Sequence, residues 1–177
     1  MVLNSTDAPG AKIRMWNTYD VPDDHGVDHI LGWTAVVARD APGGKLATLV
    51  IMCHGYENEQ GKGGFGLKIG TGIYRKDTPQ FSKVKGLVNN IWIFGCQAAA
   101  ITTATGAGAT TDGDGNLFCS EIAKQSGAYV TASQNDNYGK MYGGITGGLA
   151  YAHIPDWSGM VVTYGPQGTV VSTKKYW

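Results

Sequence analysis

Two short segments of the sequence each join an apolar run to a residue that can do acid–base or nucleophilic chemistry. The first, over 46–55, ends in His54 and Gly55, and the second, over 90–96, ends in Gly95 and Cys96. An imidazole beside a thiol takes or stabilises its proton and makes the sulfur a strong nucleophile. The adjoining glycines allow a close approach by a substrate and let backbone amides face an oxyanion. This pattern predicts hydrolysis through Cys96, with His54 moving the proton.

Both residues follow segments that are typical of buried strands. The segments over 46–53 and 90–94 carry apolar residues on both faces, as strands of a covered parallel sheet do. In open α/β sheets, ligands bind just beyond the carboxyl ends of the strands. If the two strands are neighbours, His54 and Cys96 lie in one crevice.

The remaining segments alternate between strand and helix patterns. Apolar spacing predicts strands over 11–19, 67–73 and 128–132, and helices over 27–39, 81–88 and 117–125. The apolar segments over 160–164 and 169–172 flank a Gly-Pro-Gln-Gly turn, which predicts a hairpin. Together they predict an α/β fold with a mostly parallel central sheet flanked by helices and a C-terminal β-hairpin. The length of 177 residues fits a single domain over 1–177.

Charge and hydropathy exclude several classes of partner. The formal net charge is zero and no Lys/Arg-rich run occurs, which argues against binding to nucleic acid or an anionic membrane. The longest apolar run is far too short to span a bilayer. The N-terminus lacks the basic start and apolar core of a secretory signal. We therefore expect a cytoplasmic protein, or an effector exported without a conventional signal peptide.

The order of these motifs resembles that of the caspase-like cysteine peptidases, which include caspases, metacaspases, legumains, gingipains and the self-cleaving domains of bacterial toxins. The resemblance covers about 46–133, in which an apolar strand with His-Gly precedes, by about 40 residues, an apolar strand with a small residue and Cys. The caspase signature Gln-Ala-Cys-[Arg/Gln/Gly]-Gly matches this chain at Cys96 and Gln97 alone, so the resemblance is to a divergent, bacterial-type member.

The resemblance implies a fold, a reaction and roles for individual residues. The fold is a three-layer, caspase-like domain, and the activity is that of an endopeptidase acting on a protein or peptide. His54 is the general acid/base and Cys96 the nucleophile that forms a thioester. The backbone amides of Gly55 and Cys96 are the oxyanion donors. A His–Cys dyad suffices in this family, so no third member is assigned.

Other residues invite competing interpretations. Cys53 lies within a strand and Cys119 in a helix, and we expect both to be packed. A metal site made of the cysteines and His54 lacks paired ligand spacing, so neither a metal nor another cofactor is expected. The 112–116 string Asp-Gly-Asp-Gly-Asn fails as an EF-hand, which needs Gly and Glu where Leu117 and Ala123 stand.

Acidic residues near the predicted carboxyl edge suggest a substrate pocket. Asp112, Asp114, Ser133 and Asp136 are the candidate substrate-binding residues. A carboxylate favours a cationic side chain, and arginine can engage it with two hydrogen bonds, which predicts cleavage after Arg or Lys. Two other classes stay open: a non-catalytic binding or regulatory module with a caspase fold, and a cysteine hydrolase of non-protein amide bonds. The oligomeric state is not predicted.

Overall fold

A seven-stranded sheet lies at the centre of the computed structural model, which describes residues 1–8, 12–57, 62–102, 113–136 and 156–176. The strands are β1 (Val2–Ser5), β2 (Thr18–Val21), β3 (Leu46–Met52), β4 (His54–Gly55), β5 (Leu67–Lys68), β6 (Val88–Phe94), β7 (Tyr129–Ser133), β8 (Gly159–Tyr164) and β9 (Val170–Tyr176). The helices are α1 (Val27–Asp40) and α2 (Gly115–Ser126), with 3₁₀ helices at Pro42–Gly44 and Arg75–Val84.

The order of strands across the sheet is β2-β1-β3-β6-β7-β8-β9, and β4 and β5 form a separate antiparallel pair. Strands β2, β1, β3, β6 and β7 run parallel, whereas β8 and β9 are antiparallel to their neighbours. The predicted α/β class, the mostly parallel sheet and the C-terminal hairpin are therefore confirmed.

The two faces of the sheet bury different cores. The larger core joins one face to both α-helices and the Arg75–Val84 3₁₀ helix, through residues such as Leu31, Phe81 and Phe118. The smaller core holds Val2, Ile13, Val50, Met52 and Phe94, with Trp157 packed against it. None of the helices that the structure describes contributes to this second core. Because β3 serves both cores, its apolar residues face both ways, as a covered parallel strand requires.

The helices begin and end where local chemistry dictates. The side chain of Asp114 accepts a hydrogen bond from the N–H of Leu117 at 3.0 Å, which caps the start of α2. Gly127 ends α2 in the left-handed region, with φ of 66°. The Ala41–Pro42 step stops α1, because the residue before proline disfavours helical geometry. The predicted helices over 27–39 and 117–125 are confirmed within a few residues.

The N-terminal strands differ from the prediction. The expected strand over 11–19 was wrong: the chain forms β1 at Val2–Ser5 and β2 at Thr18–Val21. Strand β1 escaped detection because it is four residues long and contains Asn4, a polar residue that is 0% exposed. The Nδ2 of Asn4 donates to Ile13 O and to Asp20 Oδ1, both at 3.0 Å, which offsets the cost of burying this amide nitrogen.

Two further expectations concern helices and membranes. The helix predicted over 81–88 is shifted: the 3₁₀ helix ends at Val84, and Val88 already starts β6. No helix in the described segments has the length and apolar composition to cross a membrane.

Candidate functional site

The carboxyl ends of β3 and β6 lie side by side. These strands are parallel neighbours, and the last pair in their register is Met52 with Phe94. His54 and Cys96 each stand two residues beyond that pair. The condition on which the sequence prediction depended, that the two strands are neighbours, is therefore confirmed, and the fold brings both residues to one edge.

The backbone after β3 is in direct contact with the backbone after β6. A Cβ atom added to Gly55 would lie 2.0 Å from the carbonyl oxygen of Cys96 and 3.1 Å from its carbonyl carbon. A Cβ at Gly95 would lie 3.5 Å from Cys53 Sγ and 3.7 Å from Gly55 N. Glycine at position 55 thus permits an approach between the two segments that no other residue allows. The side chains of His54 and Cys96 are both partly exposed.

The three thiols have different environments. Cys53 and Cys119 are 0% exposed, while Cys96 is partly exposed. Burial raises the pKa of Cys53 and of Cys119 far above the ordinary thiol value, and the neighbouring Cys96 adds to the rise at Cys53. A thiol that stays protonated is a poor nucleophile. The expectation that Cys53 and Cys119 are packed is confirmed, and of the three cysteines Cys96 is the one that is partly exposed.

A carboxylate that sequence reasoning missed lies at the same edge. Strand β1 pairs with β3, so Asp7, which follows β1, comes near His54. The hydroxyl of Ser5 lowers the pKa of Asp7 most, with help from Lys68 and from the charge of His54. Asp7 Oδ2 lies 3.0 Å from Lys68 Nζ, and Lys68 is the register partner of His54 in the β4–β5 pair. The available signal was the Ser-Thr-Asp string over 5–7, which begins at the last residue of β1, but the apolar pattern did not predict this strand.

Aromatic packing supports the segment that carries His54 and Gly55. The ring of Tyr56 stacks on that of Tyr74, with centroids 5.0 Å apart. Hydrogen bonding to Tyr74, with burial, raises the pKa of Tyr56 to about 12, so the phenol of Tyr56 is neutral near pH 7. The N–H of Tyr56 donates to Gly66 O at 3.0 Å. The segment is thus anchored directly after Gly55.

An open cleft of about 470 Å³ borders the segment after β6, which carries Cys96, on the side of β7. Its lining includes Gln97, the residue after Cys96, and Asp136, which follows β7. Asp136 Oδ1 accepts a hydrogen bond from Gln97 Nε2 at 2.8 Å. Lys62 lines the same cleft. Of the predicted substrate-binding residues, Asp136 is therefore placed at a cavity beside Cys96.

The other predicted substrate-binding residues lie elsewhere. Asp114 caps α2, as described above. The hydroxyl of Ser133, a residue with 0% exposure, donates to Ser158 O at 3.1 Å and accepts from the N–H of Asn135 at 3.1 Å, so it secures the segment after β7. Asp112 lies outside the described residues. Within the described segments, no group of three or more His, Cys, Asp or Glu is arranged to hold a metal ion.

Comparison with other proteins gives no assignment. No protein-family model, curated protein or solved structure matches the chain. The fold and the site define an α/β protein whose mostly parallel sheet carries His54 and Cys96 at one carboxyl edge.

Proposed function

We propose that this protein is a cysteine endopeptidase with a caspase-like, three-layer fold, in which His54 and Cys96 form a catalytic dyad. The observation that carries the proposal is the contact between Gly55 and Cys96, which places a histidine and a partly exposed cysteine on adjoining segments at one sheet edge. Ligands of parallel α/β sheets bind at that edge. A role as a packed thiol fits Cys53 and Cys119 but not the partly exposed Cys96.

The reaction follows from the two groups. His54 takes the proton of the Cys96 thiol, and the thiolate attacks the peptide carbonyl carbon. The backbone amides of Gly55 and Cys96 stabilise the resulting oxyanion. The C–N bond then breaks, the amine leaves with the proton from His54, and a thioester remains. Water attacks the thioester while His54 takes its proton, and the acid departs as the proton returns to Cys96 sulfur.

The cleft beside Gln97 suggests the specificity of this reaction. The carboxylate of Asp136 at its wall favours a cationic side chain before the scissile bond, so we propose cleavage after Arg or Lys. Lys62 lines the same cleft and opposes a cationic ligand. Lys62→Ala should therefore strengthen the preference, and Asp136→Asn should weaken it. Cleavage after Asp or a small apolar residue, with none after Arg or Lys, contradicts this specificity.

Peptide-library cleavage followed by mass spectrometry tests the proposal. Cys96→Ala and His54→Ala should each abolish hydrolysis while the thermal unfolding midpoint stays near that of the wild type. Cys119→Ser, which replaces a buried thiol that is not part of the dyad, is the matched control for the loss of a sulfur atom. Wild-type hydrolysis by Cys96→Ala overturns the mechanism. Activity on non-peptide amides alone keeps the dyad and overturns the assignment as an endopeptidase.

A further inference from the structure

The residue directly after the proposed nucleophile has an unusual backbone conformation. Gln97 has φ of 51°, and among the residues that the structure describes no other non-glycine residue has positive φ. An L-residue in the left-handed region costs roughly 1–2 kcal/mol unless its surroundings compensate. Such strain persists where neighbouring structure over-determines it, and it concentrates at functional sites.

Contacts from two segments that are remote in sequence hold Gln97. Its Oε1 accepts from the N–H of Gly63 at 2.8 Å, and its Nε2 donates to Asp136 Oδ1 at 2.8 Å. Its backbone N–H donates to Asn135 O at 3.0 Å, and its carbonyl accepts from Ala100 N–H at 2.9 Å. The carboxamide thus bridges the segment between β4 and β5 and the segment that follows β7.

The packing around Gln97 is as close as its hydrogen bonding. A Cβ added to Gly63 would lie 2.3 Å from the Cβ of Gln97, so the backbone of Gly63 packs directly against the side chain of Gln97. The Cys96–Gln97 peptide is the one whose carbonyl faces Gly55 at the contact described above. Its orientation depends on the φ of Gln97, because that torsion starts at the nitrogen of this peptide.

We propose that Gln97 is a positioning residue for both halves of the site. It sets the Cys96 peptide against Gly55, and it keeps the carboxylate of Asp136 at the wall of the cleft that receives the substrate side chain. The side chain of Gln97 thereby links the segments that follow β6 and β7, in addition to the hydrogen bonds between the two strands. This inference rests on the proposed function, since the cleft selects a substrate only if Cys96 is the nucleophile.

Charged thiol reagents test this role without any turnover. A cationic and an anionic methanethiosulfonate of similar size each form a mixed disulfide with Cys96: the thiolate attacks the sulfenyl sulfur, the S–S bond forms, and methanesulfinate leaves. The variants are Gln97→Met, which keeps the length of the side chain without its hydrogen bonds, Asp136→Asn, and the two combined. Gln125→Met, a change on α2, is the matched control. Mass spectrometry measures the rate at which each reagent modifies Cys96.

Asp136→Asn should lower the ratio of cationic to anionic rates by roughly fivefold at low salt, the upper limit for an exposed charge pair. Gln97→Met should lower the same rate ratio by roughly twofold, which is half of the effect of Asp136→Asn on a logarithmic scale. The double variant should match Asp136→Asn, because Gln97 acts through Asp136. If Gln97→Met fails to fold, Gln97→Gly, which accepts the positive φ without strain, takes its place.

Two results overturn the inference: a wild-type rate ratio in the Gln97 variants, or effects of the Gln97 and Asp136 changes that add in the double variant. Measurements of peptide hydrolysis provide a separate test. In an active enzyme, Gln97→Met should lower kcat and flatten the Arg/Lys preference, whereas Gln125→Met should change neither. Absence of hydrolysis in the wild type defeats the proposed function, and the reagent ratios still decide whether Gln97 positions Asp136.

Discussion

Replacing Gly55 by alanine should disable Cys96 through a single added methyl group. That methyl would lie 2.0 Å from the carbonyl oxygen of Cys96, and real Cβ atoms essentially never come within 3.0 Å of a neighbouring atom. The obstructing atom belongs to the backbone, so no side-chain rotation relieves the clash. The segments after β3 and β6 must therefore separate by at least about 1 Å.

The size of the effect follows from that displacement. Overpacking of this kind typically costs about 1–3 kcal/mol of folding free energy. Moving His54 about 1 Å from Cys96 should cost roughly 100-fold in catalytic rate, since small misplacements of reacting groups carry penalties of this order. We therefore expect kcat/KM to fall about 100-fold. The rate of Cys96 alkylation near neutral pH should fall as well.

Gly32→Ala on α1 is the matched control. A Cβ at Gly32 meets no described atom within 4 Å, so alanine there should stabilise the helix by about 0.5–1 kcal/mol. Fluorogenic-peptide hydrolysis, iodoacetamide labelling and denaturant unfolding should be measured on both variants. Wild-type stability together with wild-type activity in Gly55→Ala would refute the close contact and the dyad geometry built on it.

Three further predictions concern thiols, acid and an ion pair. Iodoacetamide at neutral pH should label Cys96 at least about 100-fold faster than Cys53, whose burial raises its pKa; equal rates by peptide mass spectrometry contradict an activated Cys96. The pKa of Asp7 is lowered from its ordinary value of 3.8, so its carboxylate stabilises the fold above that pH, and this contribution is lost as pH falls through the folded value. Asp7→Asn should cost at most roughly 0.5 kcal/mol near pH 7, because its side chain is 45% exposed, and progressively less as pH falls below 3.8; a pH-independent difference in urea unfolding contradicts this. Glu121→Ala should lower the free energy of unfolding by about 1–2 kcal/mol, because the carboxylate accepts from Arg75 Nη2 at 2.6 Å and Nε at 2.9 Å; an unchanged urea midpoint argues against this pair.

Periodicity determined much of this protein without any tertiary information. The apolar runs that became β3, β6 and β7, the amphipathic spacing of α1 and the turn between β8 and β9 follow from local pattern and burial. His54 and Cys96 could be singled out because strand ends in parallel sheets carry reactive residues at a known edge. Local chemistry was sufficient for these features.

Contacts between remote segments decided the rest. Strand β1 has no periodic signature of its own, because its side chains are all buried and include Asn4, whose Nδ2 donates to residues 13 and 20. The position of Asp7 at the carboxyl edge of the sheet could therefore not be predicted without the pairing of β1 with β3. The clamp of Gln97 between Gly63 and Asp136 spans 34 and 39 residues of chain, and no local pattern encodes such distances. The sequence by itself determined which side chains could react, and the packing of the sheet decided which groups surround them.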